Sequence, residues 1–201
     1  MRVIGGEYRS RRLKTIPGLA TRPTPDRLRE TLFDILAGRV EGAVFVDAYA
    51  GSGAVGIEAL SRGAARCIFL EISRKAVEAI RENLRALGIE TAAGGSGLGT
   101  GAGEVRARVV AGKVVATLGR HPADIEGGAE ARWMAEIVFL DPPYEMAGEY
   151  AAALGALGLA PPGLVVVQHS VRFDPGDVHG LLRRVRVLKQ GDNALSFYER
   201  G

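Results

Sequence analysis

The chain has 201 residues, of which 47% are hydrophobic, and it carries a formal net charge of +3. This length allows one substantial core and leaves little room for a second domain. No apolar run is long enough for a membrane span, and the first residues lack the apolar core of a signal peptide. The single cysteine, Cys67, excludes an internal disulfide and a multi-cysteine metal site, and is interpreted as a small core residue. A soluble cytoplasmic protein is therefore predicted, and because the three histidines have no ligand spacing, no metal is expected.

The N-terminal segment, residues 1–25, is basic and interrupted by glycine and proline, which predicts short strands or an extended arm. Residues 1–29 contain eight cationic side chains against two acidic ones. This excess favours a polyanionic partner, because each phosphate that a cation neutralises adds salt-sensitive affinity. Ordinary solvated surface is the alternative interpretation of such a charge run.

From residue 26 onward, helices and strands are predicted to alternate. Asp26 is expected to cap a helix over residues 26–37, with Leu28, Leu32 and Phe33 in its buried stripe. Further strands are predicted near 43–48, 66–71, 105–110, 135–140 and 163–168, and helices near 53–63, 73–87, 111–119 and 146–158. A final pair of strands, 183–190 and 193–200, is separated by a two-residue turn and forms an antiparallel hairpin. Such alternation predicts an α/β fold with a mostly parallel sheet covered on both faces.

Residues 91–104 contain six glycines and are predicted to be a flexible insertion within the domain of residues 26–201. Side chains this small cannot bury enough surface to offset the entropy of ordering the segment. No strand–turn–helix frame surrounds the segment, so a phosphate-binding loop is the weaker interpretation.

A glycine-rich turn follows the strand that ends at Asp47. Gly51 and Gly53 permit tight backbone conformations and close approach of a ligand, and Glu71, at the end of the next strand, is placed to accept both hydroxyls of a ribose. A simple strand–helix turn is the plain alternative, and the glycine spacing admits NAD as well as S-adenosylmethionine. Asp47 favours S-adenosylmethionine, because a carboxylate repels pyrophosphate and attracts the cationic amino acid part of that cofactor. The candidate cofactor-binding residues are Asp47, Ala48, Tyr49, Gly51, Ser52, Gly53, Glu71, Ile72 and Asp141.

The tetrapeptide Asp141-Pro142-Pro143-Tyr144 ends another apolar strand. Proline cannot continue a sheet, so the chain must turn there and present a carboxylate, a free Pro142 carbonyl and an aromatic ring at the strand end. This set suits a planar amino group, which needs two acceptors and a face for stacking. An ordinary strand-ending turn is the alternative interpretation.

Three segments, residues 22–33, 47–63 and 141–144, together resemble the RsmD family of bacterial methyltransferases. Residues 2–13 also look like the N-terminus of that family, so the resemblance spans nearly the whole chain in the right order. It implies a class I S-adenosylmethionine-dependent methyltransferase fold, which is Rossmann-like, with seven strands in the order 3-2-1-4-5-7-6 and strand 7 antiparallel. One departure concerns Gly112 and Lys113, which stand where such families commonly have an Asp or Asn that meets the adenine amine.

The resemblance further implies methyl transfer to the N2 amine of a guanine in 16S ribosomal RNA. The tetrapeptide would be catalytic, and the guanine would have to be unpaired or flipped to reach it. The implied partner is 16S rRNA or the small ribosomal subunit. The sequence does not determine the oligomeric state, and a monomer is the default expectation. The candidates for contact with the RNA backbone are Arg9, Arg11, Arg12, Arg22 and Arg29.

Three other functions remain open from the sequence. An adenine-N6 DNA methyltransferase of the same fold would use a similar tetrapeptide, although no target-recognition domain is evident. A non-catalytic nucleic-acid-binding module would not require Gly51, Gly53, Glu71 and Asp141 to be intact. An NAD-dependent oxidoreductase would leave the tetrapeptide without a role.

Overall fold

Strands joined by helical crossovers form the centre of the molecule. The computed structural model describes residues 1–16, 25–91, 105–119, 135–143 and 146–201. The helices are α1 (Asp26–Val40), α2 (Ala54–Ser61), α3 (Arg74–Ala86), α4 (Val114–Leu118) and α5 (Ala147–Leu159). The strands are β1 (Val44–Ala48), β2 (Arg66–Glu71), β3 (Ala107–Ala111), β4 (Ile137–Leu140), β5 (Leu164–Ser170), β6 (Val178–His179), β7 (Leu182–Gln190) and β8 (Asn193–Arg200). Every predicted helix and strand is present, with bounds within about three residues of those expected.

The described strands form one sheet in the order β3-β2-β1-β4-β5-β8-β7-β6. Neighbours among β1 to β5 are parallel, whereas β8 is antiparallel to both β5 and β7. With the short β6 set aside, this is the order that the family resemblance implied, and the predicted architecture is confirmed. β6 is an additional edge strand that pairs only two residues with β7 and is too short to leave a sequence pattern.

Hydrophobic side chains cover both faces of the sheet. On one face, Phe45 and Phe69 pack in a cluster that includes residues of α1, α2 and α3. On the other face, Val46 and Leu70 pack in a cluster with residues of α5. Burial on both faces explains why β1 and β2 are almost continuously apolar. Cys67 is buried in the first cluster, which confirms its predicted core position, and no helix in the described ranges is long and apolar enough to cross a membrane.

Helix α1 begins differently from the prediction. Pro25 occupies the N-cap position and no side chain caps the helix. Asp26 is the first helical residue, and its Oδ1 accepts a hydrogen bond from Arg29 Nη2 at 3.1 Å. The carboxylate still lies near the positive end of the helix dipole, but the predicted capping role of Asp26 was wrong.

Residues 1–16 fold back on themselves and pack against the core. Arg2 and Arg12 form an isolated antiparallel bridge, and the side chains of Val3 and Leu13 are buried in the cluster that contains α1. Gly6 has a φ of +74°, and a Cβ at this position would lie 1.8 Å from the carbonyl oxygen of Ser61. Only glycine permits this approach of the segment to α2.

The fully buried Glu58 carboxylate of α2 anchors this segment. It accepts hydrogen bonds from the amides of Ile4 and Gly5, each at 2.8 Å. Arg62 Nε donates to the same carboxylate, also at 2.8 Å. Glu58 therefore satisfies two backbone donors of the N-terminal segment, and without the carboxylate these donors would be left unpaired inside the protein.

Arg29 faces the same carboxylate and has no exposed surface. Its Nε lies 3.7 Å from Glu58 Oε2, and its Nη2 donates to the carbonyl of Arg2 at 2.6 Å. Burial lowers the pKa of Arg29, while the charges of Glu58 and Asp26 favour its protonated form. The expectation that Arg29 contacts the RNA backbone was therefore wrong, because its charge is used inside the protein to hold the N-terminal segment.

Replacing Glu58 with alanine should lower the free energy of unfolding by about 3–5 kcal/mol, because Arg29 loses its buried counter-ion and two amides lose their buried acceptor. Urea unfolding followed by circular dichroism measures the change. Glu82→Ala is the matched control, since Glu82 pairs with Lys14 through side chains that are 46% and 63% exposed. The control should cost no more than about 1 kcal/mol. Equal losses in the two variants would contradict the anchoring role of Glu58.

Candidate active site

The turn between β1 and α2 has a left-handed backbone at three positions. Tyr49, Gly51 and Gly53 have φ values of 63°, 55° and 77°. Glycine adopts this conformation freely, but for Tyr49 it costs about 1–2 kcal/mol. Gly56 is required by close packing rather than by backbone conformation, because a Cβ there would lie 2.4 Å from the Phe69 ring. The turn therefore contains local strain at Tyr49, and the surrounding structure must hold it in place.

Two buried carboxylates hold this turn. Asp47 Oδ2 accepts the amide of Gly56 at 2.8 Å. Glu71 Oε2 accepts the amide of Gly51 at 2.9 Å, and its Oε1 accepts the amide of Ser73 at 2.8 Å. Each carboxylate oxygen has two lone pairs, so Glu71 retains the capacity to accept the hydroxyls of a ribose. Direct contact of either acid with a cofactor stays a prediction.

The predicted catalytic tetrapeptide begins directly beside the glycine-rich turn. β1 and β4 are parallel neighbours with Ala48 opposite Leu140. The amide of Asp141 donates to the carbonyl of Ala48 at 3.3 Å. The Asp141 end of the tetrapeptide and the start of the turn therefore lie side by side at the carboxyl ends of two strands, which is where α/β folds bind ligands. Tyr144 lies outside the described residues.

The carbonyl of Pro142 is not free, contrary to the sequence-based expectation. It accepts a hydrogen bond from the hydroxyl of Tyr150 in α5 at 3.0 Å. A carbonyl oxygen has two lone pairs, so one remains for a second donor. The neighbouring carbonyl of Pro143 accepts the amide of Met146, the residue before α5, at 2.9 Å. Tyr150 is a site residue that the sequence did not reveal.

Three carboxylates converge on this edge of the sheet. Burial raises the pKa of Asp47 well above its ordinary value, and the charges of Asp141 and Glu71 raise it further, against the lowering effect of the Gly56 hydrogen bond. A group of acids that repel one another stabilises a bound cation. The electrostatics therefore suit a positively charged ligand and disfavour a pyrophosphate.

Asn83 of α3 connects the N-terminal segment to the turn. Its Oδ1 accepts the amide of Lys14 at 2.7 Å. Its Nδ2 donates to the carbonyls of Lys14 at 3.1 Å and Ser52 at 3.0 Å. Its role could not be predicted from the sequence, because a single Asn in a helix resembles a surface residue until the fold buries it.

The remaining cofactor candidates lie around the ends of β1 to β3. Ile72 follows Glu71 and is 61% exposed, so it offers an apolar surface next to the acid. Lys113 is exposed and precedes α4, and the amide of Gly112 donates to the carbonyl of Glu71 at 2.9 Å. Contact of these residues with an adenine stays a prediction.

Three of the candidate RNA-contacting residues, Arg9, Arg11 and Arg12, are exposed on the N-terminal segment. Arg11 also donates a long hydrogen bond, 3.4 Å, to the carbonyl of Ala86. Arg22 lies outside the described residues. The exposed arginines leave their charges available to an anionic partner, and their contact with RNA stays a prediction.

The strand order and the glycine-rich turn define a class I S-adenosylmethionine-dependent methyltransferase fold. The "Putative methyltransferase yhhF" of Escherichia coli is 32% identical, with a TM-score of 0.74 over 100% of this chain and 97% of that one. An RNA methyltransferase from Salinibacter ruber, solved with S-adenosyl-L-homocysteine, has the same fold at 17% identity, with a TM-score of 0.59 over 89% of this chain and 94% of that one.

The chain belongs to the RsmD family, whose model, described as "Conserved hypothetical protein 95", matches residues 1–97. The ribosomal RNA small subunit methyltransferase D of Escherichia coli K12 is 45% identical over 87 residues. That match covers 43% of this chain and 44% of the relative. The matched segment thus spans less than half the length of the curated relatives.

Replacing Asp47 with asparagine should raise stability at neutral pH, because the amide oxygen keeps the Gly56 bond without a buried charge. In the wild type, burial raises the pKa of the Asp47 carboxyl in the folded protein. The free-energy cost of burying its charge is therefore absent below about 3.9, the pKa of an Asp in the unfolded chain, and grows as the pH rises through the pKa of the folded state. The stability difference between variant and wild type should therefore increase with pH, as measured by urea unfolding at pH 4 and pH 8. A difference that is independent of pH would contradict this assignment.

Proposed function

We propose that this chain transfers a methyl group from S-adenosylmethionine to the N2 amine of a guanine in 16S ribosomal RNA. The observation that carries the proposal is the position of Asp141. Its amide donates a hydrogen bond to the carbonyl of Ala48, the last residue of β1 before the glycine-rich turn. Similarity to the ribosomal RNA small subunit methyltransferase D of Escherichia coli supports this substrate class. The guanine N2 specificity rests on the family resemblance and on the match between the tetrapeptide and an exocyclic amine.

The residues around the turn fit the cofactor. S-adenosylmethionine supplies an activated methyl group on a sulfonium and also carries a cationic amino group. The carboxylates of Asp47 and Asp141 favour such positive charge at this sheet edge, and Glu71 retains lone pairs for the ribose. The left-handed turn leaves the backbone at Gly51 uncovered, because no atom lies within 4 Å of a Cβ built there.

Asp141 and Pro142 would act directly on the amine. Guanine N2 is a poor nucleophile, because its lone pair is delocalised into the ring. The Asp141 carboxylate and the second lone pair of the Pro142 carbonyl would accept its two hydrogens and aim the nitrogen lone pair at the methyl group. The nitrogen becomes positively charged as it gains the methyl group, so both acceptors bind more strongly in the transition state. The nitrogen then loses one proton, which the Asp141 carboxylate would accept.

The target base would have to leave its stack, and the protein would have to hold the RNA on either side of it. In this proposal Tyr144 stacks on the extruded guanine, an interaction worth about 1–3 kcal/mol per base. Arg9, Arg11 and Arg12 are exposed and would neutralise phosphates of the flanking RNA.

Asp141→Ala should lower the rate of methyl transfer by about 10²–10³-fold, because it removes an acceptor that is strongest in the transition state. Affinity for S-adenosylmethionine, measured by calorimetric titration, should change by only a few-fold. Transfer of tritiated methyl groups to small-subunit rRNA measures the rate, with duplex DNA as the competing substrate. Asp34→Ala, which changes a 69% exposed carboxylate on α1, is the matched control. Full activity of Asp141→Ala, or preferential transfer to DNA, would contradict the proposal.

Replacing both Arg11 and Arg12 with glutamate, which reverses their charges, should weaken rRNA binding. The slope of log Kd against log salt should fall by about one unit for each phosphate that these arginines no longer neutralise. The same charge reversal at Arg183 and Arg200 is the control, because both arginines are exposed. They lie on the paired strands β7 and β8, near the edge of the sheet that is remote from the active site. Filter binding between 50 and 200 mM salt measures the slope. An unchanged slope at Arg11 and Arg12 would remove the N-terminal segment from the RNA interface.

A further inference from the structure

Two consecutive residues of α5 form hydrogen bonds to the two loops of the active site. Glu149 Oε2 accepts a hydrogen bond from the hydroxyl of Tyr49, in the glycine-rich turn, at 2.6 Å. Tyr150 donates its hydroxyl to the carbonyl of Pro142, in the catalytic tetrapeptide, at 3.0 Å. One helix therefore contacts the loop that would hold the methyl donor and the loop that would hold the acceptor.

The glycine-rich turn requires such an external bond. Tyr49 has a φ of 63°, which an L side chain adopts only at a cost, so contacts elsewhere must maintain it. Burial, reinforced by the hydrogen bond to Glu149, raises the pKa of Tyr49. The phenol therefore keeps its proton at neutral pH and remains a donor to Glu149 there.

The two prolines of the tetrapeptide cannot fix their own position through amide hydrogen bonds. Pro142 and Pro143 have no amide hydrogen, so two successive residues donate nothing to the neighbouring backbone. The carbonyl of Pro142 is nevertheless one of the two groups that would accept the guanine amine. The hydroxyl of Tyr150 occupies one lone pair of this carbonyl and thereby fixes the direction of the other.

The Tyr150 side chain is itself held rigidly. It is 1% exposed, and its ring centroid lies 4.8 Å from that of Phe173, in the loop after β5. The amide of Phe173 donates to the carbonyl of Ser170 at 3.0 Å. The phenol thus reaches Pro142 from a packed position in the core rather than from a mobile surface.

We propose that Glu149 and Tyr150 are positioning residues, which act through Tyr49 and Pro142 to set the distance between methyl donor and guanine amine. The inference rests on the proposed function and deepens it, because it assigns the alignment of the two reactants to a single helix. Alignment affects the rate of transfer rather than the binding of either reactant, since misplacement of about 1 Å costs up to about 10²-fold. The expected effect of losing either bond is therefore a lower kcat at nearly constant affinity.

The experiment compares single hydroxyl deletions. Tyr150→Phe should lower kcat for rRNA methylation by about 10-fold to 10²-fold, while Kd for S-adenosylmethionine and KM for rRNA stay within about twofold. Tyr198→Phe is the matched control, because Tyr198 is also buried and donates its hydroxyl to a backbone carbonyl, that of Gly176, at 2.7 Å. Both variants lose one hydroxyl-to-carbonyl bond, so they should lose similar stability, but the control should retain the wild-type kcat.

A second comparison tests Glu149 without altering the core. Glu149→Ala should lower kcat as much as Tyr49→Phe, because either change removes the same hydrogen bond. Glu149→Gln should recover most of that loss, since the amide oxygen still accepts from the Tyr49 hydroxyl.

The outcomes separate the inference from the proposed function. A folded wild-type protein that binds S-adenosylmethionine but methylates no guanine would overturn the proposed function and, with it, this inference. An active wild-type enzyme whose Tyr150→Phe variant keeps its full kcat, or loses no more than Tyr198→Phe, would overturn the positioning role of Tyr150 alone. A Glu149→Gln variant as slow as Glu149→Ala would overturn the role of the Tyr49 bond.

Discussion

The parallel pairing of β1 with β4 is the constraint on which the candidate active site depends. It sets Ala48 opposite Leu140, so the next residues along each strand, Tyr49 and Asp141, emerge side by side. The hydrogen bond from the Asp141 amide to the Ala48 carbonyl extends the pairing to the first residue of the tetrapeptide. A shift in strand register would separate the two loops even if every side chain in them were retained.

Buried carboxylates are a second feature of the structure. Asp47 and Glu71 lie beneath the glycine-rich turn, and Glu58 lies beneath the N-terminal segment. Each accepts backbone amides that would otherwise be unpaired, which offsets part of the cost of removing the acid from water. At the sheet edge, where Asp47, Glu71 and Asp141 meet, some of that cost remains, as the raised pKa of Asp47 indicates. A site with such residual repulsion favours a cation over other ligands.

Much of the fold and part of the site could be predicted from local sequence. The glycine-rich turn and the start of the tetrapeptide lie where the alternation of strands and helices indicated, because each is a short pattern at a strand end. The prediction that Arg29 contacts RNA was wrong, since a cation in a basic segment resembles a solvated surface residue until the fold places it beside the buried Glu58. The Pro142 carbonyl was expected to be free, because no sequence pattern indicates that Tyr150 is its hydrogen-bond partner.

The sequence by itself determined the α/β architecture, the two loops and the family, because these depend on periodicity and on residues that are close along the chain. Only the tertiary structure decided which polar groups pair with one another. The hydroxyl of Tyr49 meets a carboxylate 100 residues away, and Lys14 meets Asn83 across 69 residues. Such bonds leave no local pattern, because their partners become neighbours only when parallel strands and their crossover helices pack around a common core.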